Sequence, residues 1–322
     1  MARIPPPVAA VRAAVRRALP GDGLVLVACS GGADSLALAS AARFLSPRRV
    51  GLVTVDHGLQ EGSDRRARSV AAWAQDAGFD PVRIATVSVA GLPGGPEAAA
   101  RTARYAALSA AAAELGAAAV LLGHTRDDQA ETVLLALARG AGPRGLAGMP
   151  ARRGVFRRPM LEVSRAETRK ACAALGLAPW EDPHNTDPAY ARSRVRASVL
   201  PALVGALGPA VVDNLARTAS LLAEDTVALD SLAETALESA RSEAGLSIAA
   251  LTVLLPAIRS RVLHRWAREL GAPGGALGYP HVVSLNALVI DWRGQGPVHL
   301  PGGIGVARRS GDLVRVVPAH TK

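Results

Sequence analysis

The chain has 322 residues, 37 basic side chains against 27 acidic ones, a formal net charge of +10, and 49% hydrophobic against 20% charged residues. This is globular usage with room for about two domains, and it excludes a disordered chain. Lys170 and Lys322 are the only lysines and neither follows a glycine-rich stretch, which excludes a Walker A loop and a kinase-type phosphate lysine; Cys29 and Cys172 are too few for an all-cysteine metal site or a disulfide framework.

The opening stretch, with Arg12, Arg16 and Arg17 and no apolar core after them, reads as an amphipathic helix rather than a secretory signal, so a cytoplasmic protein is expected. Strand-length apolar runs follow at Leu24–Cys29, Val50–Val55, Val82–Val89 and Ala119–Gly123, each leading into a segment of helical periodicity: Asp34–Leu45, Ser63–Ala77, Glu97–Leu115 and Asp127–Arg139. Strand, crossover helix and strand in repetition predict an α/β fold with a parallel sheet covered on both faces, whose ligands bind outside the carboxyl ends of the strands.

From Gly140 the pattern gives way to a glycine- and proline-rich stretch ending in Pro150 and then to arginines up to Arg158, which is loop chemistry. Helices are expected again at Arg165–Leu175, Tyr190–Leu203 and Val211–Arg241, and on to about Leu270; short strands are expected from Leu288 onward, at Val298–Leu300 and Leu313–Val317. The uncharged run Gly271–Ile290 holds four glycines and two prolines and makes a poor membrane span, so no membrane partner is expected. A boundary near Gly208 divides a catalytic domain, residues 1–207, from a smaller, helix-rich α+β C-terminal domain, residues 208–322. Charge follows a similar division: residues 1–207 hold 26 basic and 17 acidic side chains, 208–243 hold 2 and 7, and 244–322 hold 9 and 3. Two basic bodies around an acidic helical spacer suit a polyanionic partner, although arginine-rich usage is equally what coding bias produces.

The first strand runs into Ser30-Gly31-Gly32-Ala33-Asp34-Ser35 and then a helix. Two glycines let the backbone approach a ligand, two serines offer hydroxyls, and the helix N-terminus aims free N–H groups at an anion; the plain alternative is a turn in which Asp34 or Ser35 caps the helix. The string resembles the phosphate loop of the PP-loop ATP pyrophosphatases (adenine nucleotide α-hydrolase-like), which hydrolyse ATP between the α- and β-phosphates. After the second strand Asp56 and His57 are placed to reach the adenosine, or Asp56 to cap the following turn. After the fourth, Asp127, Asp128 and Glu131 cluster on one helix face beside His124, either as site residues or as ordinary acids of a first helical turn. On the preceding helix Arg104, with Arg101, is placed to pair with phosphoryl oxygens.

Three strings in order, Asp56-His57-Gly58-Leu59, then Gly123-His124-x-x-Asp127-Asp128-Gln129-x-Glu131-Thr132, then Arg139-Gly140-x-Gly142-x-x-Gly145-Leu146-x-Gly148-Met149, resemble the tRNA(Ile)-lysidine synthase family. A fourth string is similar to it as well: Glu181-Asp182-x-x-Asn185-x-Asp187-x-x-Tyr190-x-Arg192-x-Arg194-x-Arg196. Gln60, His184 and Ser193 depart from that pattern, and the chain looks like a short form of the family. The resemblance implies that ATP adenylates the C2 oxygen of the wobble cytidine of tRNA(Ile) with a CAU anticodon, that diphosphate leaves, and that the ε-amine of L-lysine attacks C2.

The resemblance further implies ATP at Ser30, Gly31, Gly32, Asp34, Ser35, Asp56 and His57; Mg²⁺ at Asp34; and catalysis by Asp34, Arg104, His124, Asp128 and Glu131. Lysine is expected in a carboxylate pocket of Asp128 and Glu131, with His124 or Asp34 as base. The tRNA is expected on Arg139, Arg144, Arg192, Arg194 and Arg196, within and beyond a basic segment from Arg139 to Lys170, and a homodimer stays open. Two other functions are weighed: a PP-loop tRNA thiolase, which needs sulfur-handling cysteines, and a non-catalytic tRNA-binding protein, which does not need the intact loop and acids.

Overall fold

The computed structural model describes residues 4–46, 50–58, 62–88, 95–181 and 187–316. Leu59, Gln60, Val89, Asp182, His184, Asn185 and Val317 of the strings and strands above lie outside them. In chain order the first unit runs α1 (Pro6–Ala18), β1 (Leu24–Ala28), α2 (Ala33–Leu45), β2 (Val50–Asp56), α3 (Ser63–Asp76), β3 (Val82–Thr86), α4 (Gly95–Glu114), β4 (Ala117–Leu122), α5 (Arg126–Ala138) and α6 (Pro143–Leu146). The two-residue strands β5 (Arg152–Arg153) and β6 (Phe156–Arg157) follow, then α7 (Arg165–Ala174), α8 (Ala191–Arg194), a π-helical turn at Val195–Val199, α9 (Leu200–Leu207) and the start of α10 (Val211–Ala240).

The sheet order is β3-β2-β1-β4-β6-β5, parallel throughout except for β5. Val25, Leu26, Val27, Leu52, Val53, Val120 and Leu121 are buried, as a sheet covered on both faces requires. Residues of α1, α2, α3 and α7 share one core with the sheet, and Leu108, Ala111 and Ala112 of α4 share another. The chain winds outward through β1, β2 and β3 and then returns to the other side of β1 with β4. The topological switch therefore falls between β1 and β4, where an open parallel sheet leaves its ligand crevice. The arginine stretch expected as loop contains a minimal hairpin: Arg152 and Arg153 pair with Arg157 and Phe156 around Gly154, whose φ of +57° suits glycine.

The second unit continues along α10 and adds β7 (Gly245–Ser247), α11 (Ile248–Thr252), α12 (Pro256–Glu269), α13 (Tyr279–Ile290), β8 (Val298–Leu300), β9 (Ile304–Arg309) and β10 (Asp312–Val316). Its antiparallel sheet runs β7-β10-β9-β8, and its core gathers Leu237, Leu246, Leu251, Leu263, Leu285, Leu288 and Leu313. Leu288–Ile290, expected to begin the strand region, are instead the last turn of α13. Val282, Leu285, Leu288 and Val289 recur at helical spacing and are buried together.

The compact units are Met1–Ala223 and Glu224–Lys322, so the division lies inside α10 and not at Gly208. Val212 and Leu215 pack with Ala130, Val195 and Leu200, and Asp213 pairs with Arg126 at 3.0 Å, which ties the first turns of α10 to the first unit. Gly208, with φ of +87°, ends α9 without ending that unit. Among the described residues no single helix is long and apolar enough to cross a membrane.

Candidate active site

The loop after β1 is built around its glycines. Gly31 has φ of +83°, and a Cβ there would sit 2.9 Å from Val70 Cγ2. Gly32 precedes α2, and no side chain caps the helix N-terminus, so its first N–H groups face the crevice. Ser35, expected to hold ATP, is instead buried in the loop: its hydroxyl donates to the Gly32 carbonyl at 2.9 Å and accepts from the Ser30 N–H at 3.2 Å. Ser30 is exposed at the crevice. Gly123 lets the end of β4 close onto this loop, since a Cβ there would stand 3.2 Å from the backbone of Asp34 and Ser35.

Asp56 closes the turn after β2. Its Oδ1 accepts from the Gly58 N–H at 3.0 Å and the Ser63 hydroxyl at 2.6 Å, which is the capping role rather than an outward contact to adenosine. His57, beside it, is half-buried.

The helix after β4 carries the acids. Thr125 is the N-cap of α5, and Asp128 closes a capping box: its Oδ2 accepts from the Thr125 N–H at 2.8 Å and the Thr125 hydroxyl at 2.9 Å. Oδ1 takes Arg165 Nη2 at 2.8 Å. Glu131 is 0% exposed; its Oε1 accepts from Arg165 Nη2 at 3.0 Å and Arg196 Nε at 2.8 Å, and its Oε2 from Arg196 Nη2 at 3.2 Å, with Arg192 Nε 3.4 Å away. The acid pair expected as a carboxylate pocket for lysine is therefore lined with the protein's own guanidiniums. A fully buried carboxylate stays charged only with such partners.

The arginine row accordingly divides. Arg192 and Arg196, expected on tRNA, turn inward to Glu131, and Arg192 also donates to the Thr132 hydroxyl at 2.9 Å. Arg194 is exposed and donates to the carbonyls of Pro188 and Ala189. Pro201 has no N–H for the helical ladder, and the π turn at Val195–Val199 lies just before it, carrying Arg196. Arg139 and Arg144 are exposed around the loop after α5.

Three residues that the sequence analysis did not assign to the site belong to it. Arg165, at the first position of α7, joins the acids above, and its backbone N–H donates to Asp127 Oδ2 at 2.7 Å. Thr168 donates its hydroxyl to Asp34 Oδ1. Arg158 is buried and donates to the Pro150 carbonyl at 2.8 Å and the Tyr105 hydroxyl at 3.0 Å. The one available signal was Ser164-x-x-Glu167, a capping box that puts Arg165 and Thr168 in a first helical turn.

Electrostatics separate the groups. Burial raises the Asp34 carboxyl to about 6, against the Thr168 hydrogen bond and with Asp128 adding to the rise. Burial works against the Asp128 anion, yet Arg165 and the Thr125 N–H hold it below the ordinary carboxylate range. Burial pulls His124 down to about 3, opposed by Asp128 and reinforced by Arg104, Arg158 and Arg192; its Nδ1 has no hydrogen-bond partner among the described residues. Burial likewise lowers Arg104, with Arg101, Arg192 and Arg158 pushing the same way. His124 is thus a neutral imidazole among guanidiniums, too weak a base for the role expected of it. A cationic cluster of this kind is short of an anion, which a polyphosphate supplies.

A family model described as a PP-loop domain matches residues 10–203, and one described as the TilS substrate binding domain matches residues 246–314. The chain is 66% identical to the tRNA(Ile)-lysidine synthase of Salinispora tropica over 99% of each chain, and 56% identical to that of Thermobifida fusca over 96% of this chain and 98% of the relative. Among solved structures it is similar to the U34-tRNA thiolase NcsA from Methanococcus maripaludis, with a TM-score of 0.55 and 18% identity over 68% of this chain and 80% of that one, a likeness of fold.

Proposed function

The chain belongs to the tRNA(Ile)-lysidine synthase family and forms lysidine in an ATP-dependent ligation, and on that premise we propose how the site divides the work. The supporting observation is that the phosphate loop after β1 and the acid-bearing helix after β4 meet at the switch point of the sheet. ATP lies with its phosphates on the backbone of Ser30, Gly31 and Gly32 and the N-terminus of α2, and its adenosine toward His57 and the turn that Asp56 holds. Arg104, beside Arg158 and neutral His124, meets the charge that develops on the diphosphate as the C2 oxygen of the wobble cytidine attacks the α-phosphate and diphosphate leaves ATP. His124 serves there as a neutral imidazole and not as a base.

No group of three or more potential metal-ligating side chains occurs among the described residues, which does not fit an all-protein cage. It does fit Mg²⁺ held by one carboxylate together with substrate phosphates and water. Asp34 is that carboxylate, beside the phosphate loop and costly to ionise alone. The ion would supply neutralisation of the phosphate charge.

L-Lysine sits at the edge of Asp128 and Glu131, its ε-ammonium taking a share of the charge that the arginines now neutralise. The tRNA anticodon arm lies along exposed Arg139, Arg144 and Arg194, where backbone charge is met without burial. The setting is cytoplasmic, where all three substrates are found. The thiolase alternative finds no support in the thiols: burial raises Cys29, and burial with Asp34 raises Cys172 to about 11.

The test is diphosphate release from ATP with and without L-lysine and CAU-anticodon tRNA, with mass analysis of the product nucleoside. Release that depends on tRNA, with lysidine formed only when lysine is added, is the expected result. Release indifferent to tRNA would overturn this account of the site.

A further inference from the structure

Three helix N-termini, those of α2, α5 and α7, converge on one side chain. Arg165 Nη2 lies 2.8 Å from Asp128 Oδ1 and 3.0 Å from Glu131 Oε1, and its Nε lies 3.8 Å from Asp34 Oδ2. Asp34 belongs to the phosphate loop, while Asp128 and Glu131 belong to the helix assigned to lysine. One planar guanidinium thus spans the two halves of the site.

Its own placement is over-determined. The Ser164–Glu167 capping box starts α7, the Arg165 N–H is bonded to Asp127, and the Arg126 N–H donates to the Val163 carbonyl at 2.9 Å. Thr168, one turn on, holds the other oxygen of Asp34. The Arg165 side chain is 18% exposed, and its Nη2 donates to both Asp128 and Glu131.

We propose that Arg165 is a positioning residue shared by both half-reactions, fixing the phosphate-loop carboxylate and the lysine-binding acids at a set separation through one rigid fork. The amine can attack only where adenylation has just occurred, so the nucleotide and lysine sites must keep register to within a fraction of an ångström. A guanidinium is suited to this because its donors are coplanar, whereas an ammonium is a point charge. The proposal rests on the placement of lysine at Asp128 and Glu131.

The test uses the full-length protein with CAU-anticodon tRNA. Arg165→Ala is expected to slow single-turnover diphosphate release without lysine about tenfold or more and to raise the KM for lysine about tenfold or more, as loss of charge-assisted contacts does, with tRNA affinity unchanged. Guanidinium ion at tens of millimolar is expected to restore both, and methylammonium neither. A folded variant with both parameters within about twofold of the parent, or one in which release slows, the KM for lysine rises and guanidinium restores neither, overturns the proposal. Should Arg165→Ala not fold, Arg165→Lys carries the test: an ammonium reaches the acid pair but not Asp34, so lysine KM recovers while adenylation stays slow, and equal effects on both overturn the proposal. Failure of the lysine placement itself looks different, since Glu131→Gln would then leave the KM for lysine unchanged.

Discussion

The side-chain amide of Gln129 pairs with the backbone of Met149 as a strand rung would: Nε2 donates to the Met149 carbonyl at 3.0 Å and Oε1 accepts the Met149 N–H at 2.7 Å. Gly148, with φ of +67°, makes room for it, because a Cβ there would lie 2.6 Å from Gln129 Oε1. The glycine-rich loop after α5 is thereby pinned to the acid-bearing helix.

Gln129→Leu leaves both Met149 groups buried without partners, at about 1–3 kcal/mol each. Denaturant unfolding should show a loss of that order, and hydrogen exchange at Met149 should accelerate. Gly148→Ala should behave alike, with strain added at its positive φ. Unchanged exchange in both variants would mean that the loop is held by other contacts.

Asp34→Ala and Arg104→Ala should each lower turnover about a hundredfold, roughly 3 kcal/mol in the barrier, while tRNA affinity changes little, since neither lies among the exposed arginines. Steady-state rates and a filter-binding titration decide this. Near-normal turnover in either variant removes it from the adenylation machinery.

Arg196→Met should destabilise the protein by about 1.5–3 kcal/mol, because it strips hydrogen bonds from the buried Glu131 carboxylate. The double variant with Glu131→Gln should recover part of that loss, the signature of a coupled pair. Arg194→Ala should leave stability unchanged and make the salt dependence of tRNA binding shallower by up to about 0.9 for a lost duplex-like phosphate contact. A reversed pattern would return Arg196 to the RNA surface.

His124 supplies a pH dependence. Its folded-state value of about 3 lies below the ordinary 6.5, so below pH 6.5 the unfolded chain takes up a proton that the folded one refuses. The neutral imidazole therefore costs nothing above that pH, and stability falls as pH drops from 6.5 toward 3, by up to about 1.4 kcal/mol per unit. His124→Asn should flatten that slope in denaturant titrations from pH 7 to pH 4. An identical slope in both proteins would show that His124 protonates freely when folded.

Much of this protein is written locally. Apolar runs such as Leu24–Ala28 and Ala117–Leu122, followed by helical periodicity, specify a parallel sheet, because a strand buried on both faces must be apolar throughout. The Ser30–Ser35 string after β1 specifies a phosphate loop, since a glycine at positive φ and an uncapped helix start are properties of adjacent residues. The spacing of His124, Asp128 and Glu131 places them together for the same reason.

Partnership across the chain is not local. Nothing in the string from Tyr190 to Arg196 says that Arg192 and Arg196 face Glu131 and Arg194 faces solvent; the π turn before Pro201 and the packing of α5 against it decide that. The charge state of His124 and Asp34 follows from burial, which exists only once the helices close over them. Arg165 stands 34 residues after Glu131 and 131 after Asp34, and it becomes part of the site because the N-termini of α2, α5 and α7 meet in space. A sequence records that an arginine is present, and only the fold decides which carboxylates it neutralises.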